Sequence, residues 1–485
     1  MAKIAFINDD SFFRCGVSSI IAVLKKHGHD CEIFLEKYEG EGHLLESVKK
    51  YSPDILAFSC TSGEHNWVIK TAKNLKEILN VPILVGGPHP TFFPEIIEEP
   101  IIDIVCIGEG EYATLDLLNG LEKGQDITTI ENLIVKDKNG IHKNPVRNLI
   151  EDLDSLPFMD RDCYNKYQTI KEDTTLHVLT DRGCPYNCSY CYNAQTKEIY
   201  KGKGRYVRQR SANNAIEEIK SLVLMYPNAN AVRLYDDNII INKKRLYDFL
   251  DLYKKGIKIP FICNATANLL TEEVVKKLKE GGCTRVAVGL ESGNENMRNF
   301  LLNKKITNEQ LLEAAKYCHK YNLRLSTLNM IGLPGETVDN AIETIKLNNK
   351  MNPETAIIGI FQPYPGTALA EYARKNGIID KDYNVKSMTP YFYYTSVLKQ
   401  KNIQELGNLQ LFFWFLVRYP IFISLARLII KFPPTRFHYF FFSLPILQRK
   451  IKYGNNSFFT NSRLILRRIW KVFVFGDSGI EEIGI

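Results

Sequence analysis

The chain has 485 residues, enough for two or three domains, and its 45% apolar and 24% charged residues exclude a disordered or fibrous protein. Its net charge of +7 is uneven: residues 391–485 hold thirteen Lys/Arg against four Asp/Glu, a balance of +9, so the first 390 sum to −2 and any argument for an anionic partner belongs to the tail. The start, MAKIAFINDD, lacks the basic stretch and long apolar core of an export signal, which points to the cytoplasm, and an odd number of cysteines, eleven, argues against a disulfide framework.

In chain order, residues 1–135 read as strand alternating with helix. Lys3–Ile7, Cys31–Leu35, Asp54–Ser59, Pro82–Val85 and Ile104–Ile107 are short apolar runs of strand type, and Val17–His27 and Trp67–Leu79 carry helical periodicity. Strands that alternate with helices pair in parallel, so an α/β fold with a doubly wound parallel sheet is expected, its ligand beyond the carboxyl ends of the strands. Glycine-bearing strand ends at Ser59–Gly63, Gly86–His89 and Gly108–Glu111 fall at that edge. They either let a ligand approach the backbone closely or are simply tight turns. Residues 136–172 form a connector, in which KDKNG is a turn between short strands. From 173 to 390 a second series follows, with strands at Leu176–Thr180, Ala231–Tyr235, Phe261–Asn264, Arg285–Leu290, Leu323–Ile331 and Ala356–Phe361 and helices such as Asn214–Met225 and Thr271–Gly281 between them. Six βα units predict a partial (β/α)6 barrel with its chemistry at the strand C-termini. The region 391–485, with twenty-two aromatic residues in ninety-five, is expected to be mainly helical.

Eight cysteines are scattered among apolar neighbours and read as small buried hydrophobes. The other three stand together in Gly183-Cys184-Pro185-Tyr186-Asn187-Cys188-Ser189-Tyr190-Cys191. Three thiolates at this spacing on one loop can wrap three irons of a cubane cluster and leave the fourth iron open. A structural zinc site would use two separated pairs and four protein ligands, and no nearby Cys or His completes such a set.

CxxxCxxC with an aromatic residue before the last cysteine resembles the radical S-adenosylmethionine (SAM) superfamily. The resemblance implies a [4Fe-4S] cluster on Cys184, Cys188 and Cys191, SAM chelated at the open iron, a low-potential electron donor, and a 5′-deoxyadenosyl radical that takes hydrogen from an unactivated carbon. It also implies SAM contacts. Asp236, in Asp236-Asp237-Asn238, stands at the family's second-strand motif, and Glu291-Ser292 at its fourth-strand acidic residue. Gly332, in MIGLPGE, lies on the segment that passes the adenine, and Gln362, in FQPYPGT, on the last-strand loop. A carboxylate at one strand end is by itself more often a helix cap.

An N-terminal doubly wound domain before such a core, with VGGPHPT at 85–91 and GEGE at 108–111, is similar to cobalamin-binding radical SAM proteins, over roughly residues 1–390. This implies cobalamin near Ser59, Thr61, Gly86, Gly87 and Gly108. One feature departs from the wider cobalamin family: where Asp-x-His-x-x-Gly supplies a cobalt ligand, residues 8–16 hold no histidine. His27, His29, His65 and His89 lack the flanking pattern and read as surface or capping residues.

In the tail, Leu406–Val417 and Phe437–Gln448 are each twelve residues without Lys, Arg, Asp or Glu, too short to span a membrane. Interleaved with Arg418, Arg427, Lys431, Arg449, Lys450 and Lys452, they fit either a helix lying in the inner membrane interface or a helical cap on the barrel. The charges are too diluted by bulky apolar residues for a nucleic-acid surface. Methyl transfer to a hydrophobic substrate (a lipid, hopanoid or tetrapyrrole) is the leading expectation. Radical cyclisation, C–C coupling or oxidation without methyl transfer is the alternative, and a non-catalytic cluster or corrin sensor a second one.

Overall fold

A computed structural model describes residues 1–9, 13–388, 396–435 and 441. The first sheet contains β1 (Lys3–Asn8), β2 (Asp30–Leu35), β3 (Ile55–Ser59), β4 (Ile83–Gly86), β5 (Ile104–Cys106), β6 (Leu133–Asp137) and β7 (Gly140–Lys143), in the order β2-β1-β3-β4-β5-β6-β7. β1 to β5 pair in parallel. Their residues alternate between two apolar layers, with Ile4, Phe6, Ala57 and Leu84 on one face and Ala5, Ile7, Leu56, Phe58 and Val85 on the other. A sheet covered on both faces needs such near-continuous apolar strands. The sheet is not parallel throughout. KDKNG closes a tight hairpin in which β6 and β7 pair antiparallel, and β6 joins β5 antiparallel too. The segment after the hairpin packs against this sheet: Tyr164 and Tyr167 are buried in its first layer, and the Tyr167 hydroxyl accepts from the Leu35 N–H at 2.9 Å.

β8 (Thr175–Val178) opens the second unit and leads into a short antiparallel ribbon of β9 (Asp181–Arg182) and β10 (Arg208–Gln209). β11 (Ala231–Leu234), β12 (Phe261–Ala265), β13 (Cys283–Glu291), β14 (Arg324–Ile331) and β15 (Thr355–Ile360) complete an all-parallel sheet in the order β8-β11-β12-β13-β14-β15. Six strands with helices between them form the open partial barrel that the periodicity predicts.

Of the two readings of the run 406–417, the structure takes the helical cap. Helix Ile403–Arg418 lies against β15 and helix Val338–Met351, burying Leu406, Leu409, Phe412, Phe413, Leu416 and Val417 with Ile345, Ile358 and Ile360. The two polar residues within 406–417, Asn408 and Gln410, are buried and paired: the Asn408 amide donates to the Ile430 and Phe432 carbonyls, both at 2.8 Å, and Gln410 donates to Ile358 at 3.2 Å. A helix lying in a membrane interface would keep such groups wet, so this run is not one. Apart from Phe441, the run 437–448 and the cations at 449, 450 and 452 lie outside the described residues. No described helix is long and apolar enough to cross a membrane.

Candidate active site

The cysteine loop springs from β9. Gly183 begins it at φ +88°, where a Cβ would sit 2.4 Å from the Tyr206 carbonyl oxygen, so only glycine lets the chain leave the ribbon at this angle. Cys184, Cys188 and Cys191 follow, all half-buried. Cys191 caps helix Tyr192–Ile199, its Sγ accepting from the Asn193 N–H at 3.5 Å. Burial, with Asp237, Cys191 and Cys188 nearby, pushes the Cys184 thiol up to about 11. Burial also raises Cys188, against the opposing pull of the Lys304 ammonium. The three thiols thus share one electrostatic neighbourhood, although no three His, Cys, Asp or Glu side chains among the described residues converge tightly enough to chelate a single ion. Three soft donors spread along one loop fit a cluster with three protein ligands.

β13 bulges between Gly289 and Glu291 and ends with Glu291 at φ +63°. A left-handed glutamate at a strand end is a strained conformation of the kind that gathers at functional sites. The residue is 8% exposed, and its carboxylate accepts from Tyr190 Oη at 3.0 Å and from Lys304 Nζ at 2.8 Å. A Cβ on Gly289 would lie 2.2 Å from the Glu291 carboxylate and 2.5 Å from Lys304 Nζ, so this glycine makes room for the pair. Tyr190, the aromatic residue of the cysteine motif, therefore ties the loop to the end of β13. Next to it, Ser292 is fully buried and its hydroxyl has no hydrogen-bond partner. Gly332, at φ +76°, follows β14 and donates its N–H to Glu336 at 2.6 Å. Gln362 is buried just past β15. Glu291, Ser292, Gly332 and Gln362 are thus brought to one edge of the partial barrel, and the unpartnered Ser292 hydroxyl and the Glu291–Lys304 pair suit the amine and carboxylate of an amino acid.

Asp236 is placed differently. Although it follows β11, its carboxylate accepts from the Thr180 N–H at 2.5 Å, the Thr180 hydroxyl at 2.6 Å and the Asp181 N–H at 3.0 Å. It braces the turn that launches the cysteine loop. Its neighbour Asp237 reaches Asn193 at 3.2 Å, beside Cys191.

A cavity of about 580 Å³ opens where the first sheet meets β9. Phe6, Ala57, Leu84 and Cys106 form an apolar floor, and Ser59, Thr61, Gly86, Gly87 and Gly108 all line it, together with Arg14, Asp181 and Arg182. Gly87 and Gly108 are needed for chain packing. A Cβ on Gly87, at φ +99°, would meet the Cys60 backbone at 2.9 Å, and one on Gly108, at φ +72°, would meet the Tyr200 hydroxyl at 1.8 Å. Gly86 differs: its Cβ would touch nothing closer than Cys106 Cβ at 3.7 Å, so it leaves space for an occupant. An apolar floor, a polar rim and this volume suit a flat macrocycle fringed with amides, which is the chemistry of a corrin.

The histidine expectation needs correcting in part. His27 caps its own helix through the Val23 carbonyl at 2.8 Å, but His29, His65 and His89 are buried, not superficial. His65 and His89 stack with ring centroids 4.7 Å apart, and burial lowers His89 to about 3. Neither lines the cavity.

Charge holds the seam between the two units. Arg182 donates to Glu109 at 3.0 Å and to Glu111 at 2.5 Å, Arg208 grips Glu109 at 2.9 and 3.0 Å, and Ser19 donates to Glu111 at 2.7 Å. Burial opposes ionisation of Glu109, but Arg208 and Arg182 hold its carboxyl below the usual range. Arg182 immediately precedes Gly183-Cys184, so the GEGE segment fixes the root of the cysteine loop. Sequence reasoning passed over Asp181, Arg182, Tyr200, Arg208 and Lys304, because each acquires its meaning from a partner distant in the chain.

Residues 178–347 match the family model of the radical SAM superfamily, and residues 12–118 that of the B12 binding domain. An uncharacterised methyltransferase of Pyrococcus horikoshii is 33% identical over 369 residues, covering 74% of this chain and 78% of that one. The anaerobic magnesium-protoporphyrin IX monomethyl ester cyclase of Cereibacter sphaeroides is 24% identical; the match covers 79% of this chain but only 63% of that enzyme's length. The solved structure of OxsB, a cobalamin-dependent S-adenosylmethionine radical enzyme with aqua-cobalamin and SAM bound, is similar with a TM-score of 0.69 at 17% identity, covering 98% of this chain and 75% of that one, a likeness of fold.

Proposed function

The chain belongs to the radical SAM superfamily, joined here to an N-terminal B12-binding domain, and on that premise we propose that it transfers a methyl group to an unactivated carbon of a hydrophobic substrate. It is a radical SAM enzyme whose cofactors are a [4Fe-4S] cluster, SAM and cobalamin. When bound, the cluster and SAM supply a 5′-deoxyadenosyl radical, and cobalamin supplies the methyl group. In this reading Cys184, Cys188 and Cys191 hold the cluster, and Asp236 positions their loop through Thr180 and Asp181. Glu291, Ser292, Gly332 and Gln362 hold SAM along the ends of β13 to β15. Ser59, Thr61, Gly86, Gly87 and Gly108 line the corrin cavity.

The observation that carries the proposal is the position of that cavity. Its floor comes from the B12-binding sheet, and its wall includes Asp181 and Arg182 of β9, the strand that launches the cysteine loop. A methyl donor there and a radical source on the loop can address one substrate from two sides. A second reading is favoured by the likeness to the cyclase: the same core performs cyclisation or oxidation of a porphyrin-like substrate without methyl transfer.

The reading includes a low-potential electron donor and a cytoplasmic location with peripheral membrane contact. What supports the contact is the apolar edge after the cap helix, where Ile421, Leu425, Leu428 and Phe432 are more than half exposed. The test is to incubate the anaerobically reconstituted chain with methyl-labelled SAM, a strong reductant and a lipid extract. Label in a carbon-bound methyl of the product, absent with Cys184→Ala, supports methyl transfer. Production of 5′-deoxyadenosine with no label in any product favours the second reading.

A further inference from the structure

The sulfur of Cys191 accepts two N–H groups from one residue. Asn193 donates its backbone N–H to Cys191 Sγ at 3.5 Å and its side-chain Nδ2 to the same sulfur at 3.5 Å. The orientation of that amide is fixed from both ends. Asp237 Oδ2 lies 3.2 Å from Nδ2, and a carboxylate only accepts, so it is the nitrogen that faces Asp237 and Cys191. On the other side the Tyr206 hydroxyl donates to Asn193 Oδ1 at 2.6 Å. The loop itself is held elsewhere. Lys197, one turn further along the same helix, donates to the Tyr186 carbonyl at 2.8 Å and to Asn187 Oδ1 at 2.6 Å, and Asn303 Nδ2 donates to the Asn187 carbonyl at 2.8 Å. Asp237, just after β11, and Tyr206, just before β10, thus converge on Asn193 and aim its amide at a sulfur.

Resting on the reading that Cys191 is a cluster ligand, we propose that Asn193 is a positioning residue that sets the reduction potential of the cluster, and that Tyr206 and Asp237 act through it. The physical reason is charge. Reduction adds one electron to a cluster already bound by three thiolates. A hydrogen bond to a ligand sulfur stabilises the more negative, reduced state more than the oxidised one, so it raises the potential. The backbone donor is common to every residue at this position except proline, whereas the side-chain donor belongs to Asn193 alone. Asp237 takes one hydrogen of Nδ2 and leaves the other for the sulfur. The chain therefore accepts its electron from a less strongly reducing donor than it would with an apolar residue at 193.

The test is a redox titration of the full-length, anaerobically reconstituted chain without SAM. One electron from dithionite takes the cluster from its oxidised to its singly reduced state, and electron paramagnetic resonance measures the reduced form. Wild type, Asn193→Ala and Tyr206→Phe are compared. Losing the side-chain donor in Asn193→Ala is expected to shift the one-electron equilibrium about tenfold toward the oxidised cluster, a midpoint lower by about 59 mV. Tyr206→Phe keeps the donor but frees the amide, and its midpoint falls between the other two. Iron and sulfide per chain, equal in all three, show that the loop is intact. A role in holding the loop alone would lower that content and leave the midpoint of the remaining cluster where it was. A midpoint for Asn193→Ala equal to or above that of wild type overturns the role of Asn193, although the cysteine assignment stands. If Asn193→Ala takes up no cluster, Tyr206→Phe decides, and a midpoint equal to that of wild type overturns the role. A wild-type chain that takes up no cluster overturns the cysteine assignment and this role with it.

Discussion

Replacing Arg182 with methionine removes the one cation shared by Glu109 and Glu111 at the seam between the two units. Glu109 keeps Arg208, but Glu111, whose side chain is 4% exposed, is left with only the Ser19 hydroxyl. Removing one partner of a buried pair costs about 3–5 kcal/mol, because a charge remains unpaired in a poorly solvated place. With Arg208 retained, the low end applies: about 3 kcal/mol, or a fall of about 5–10 °C in the first thermal transition. The assay is melting of the apo chain followed by circular dichroism, on Arg182→Met and on Arg182→Met with Glu111→Gln. The second change removes the stranded charge and restores most of the loss, whereas pairing Arg182→Met with Glu109→Gln restores little. A melting point for Arg182→Met within about 2 °C of wild type, or no rescue by Glu111→Gln, would refute the argument that this pairing docks the units.

Two further outcomes follow from polar groups around the GLPGE loop. Glu336 is 1% exposed and burial pushes its carboxyl up to about 8, against the Leu333 and Gly332 N–H groups that favour its anion. The folded chain therefore holds a proton that the unfolded chain, with an ordinary carboxyl, releases, so stability falls as pH rises towards about 8 and levels off above it. Glu336→Gln removes this slope: its melting point gains on wild type between pH 5.5 and 8, and parallel curves would contradict the assignment. Gln400 accepts from the Gly335 N–H at 3.0 Å and donates to the Leu333 carbonyl at 3.2 Å, clasping the same loop from the C-terminal side. Gln400→Ala is expected to raise the Kd for SAM by about tenfold, from two lost hydrogen bonds, with cluster content unchanged; calorimetric titration checks it.

Much of the architecture was legible in the sequence because strands buried on both faces are short apolar runs closed by glycine and polar residues, and both units repeat that signature. The cysteine loop stood out because three thiols within eight residues have few other uses. Less visible was anything set by pairing across the chain. The β6–β7 hairpin turns the edge of the first sheet antiparallel, although its KDKNG turn alone does not say which strand it joins. The Leu406–Val417 run has the same composition as an interfacial helix, and only its burial against Ile358 and Ile360 distinguishes a cap. Asp236 stands at a strand end as a ligand residue would, yet its oxygens turn back onto Thr180 and Asp181. Gly86, Gly87 and Gly108 look alike in sequence, but one leaves open space and the other two make room for Cys60 and Tyr200, a difference that depends on residues arriving from elsewhere.

The central claim, that one chain holds a corrin in the seam cavity and a cluster on the adjoining loop, is tested most directly by filling the cavity. Gly86→Phe places a ring in that space without strain at its Cβ, which meets nothing closer than 3.7 Å. Visible spectra and 5′-deoxyadenosine production are measured on the anaerobically reconstituted chain after hydroxocobalamin loading and desalting. The expected result is about one corrin per wild-type chain and almost none in Gly86→Phe, with cluster absorbance and SAM cleavage retained by both. A Gly86→Phe chain that keeps its corrin, or a wild-type chain with a full cluster and none, would contradict the account.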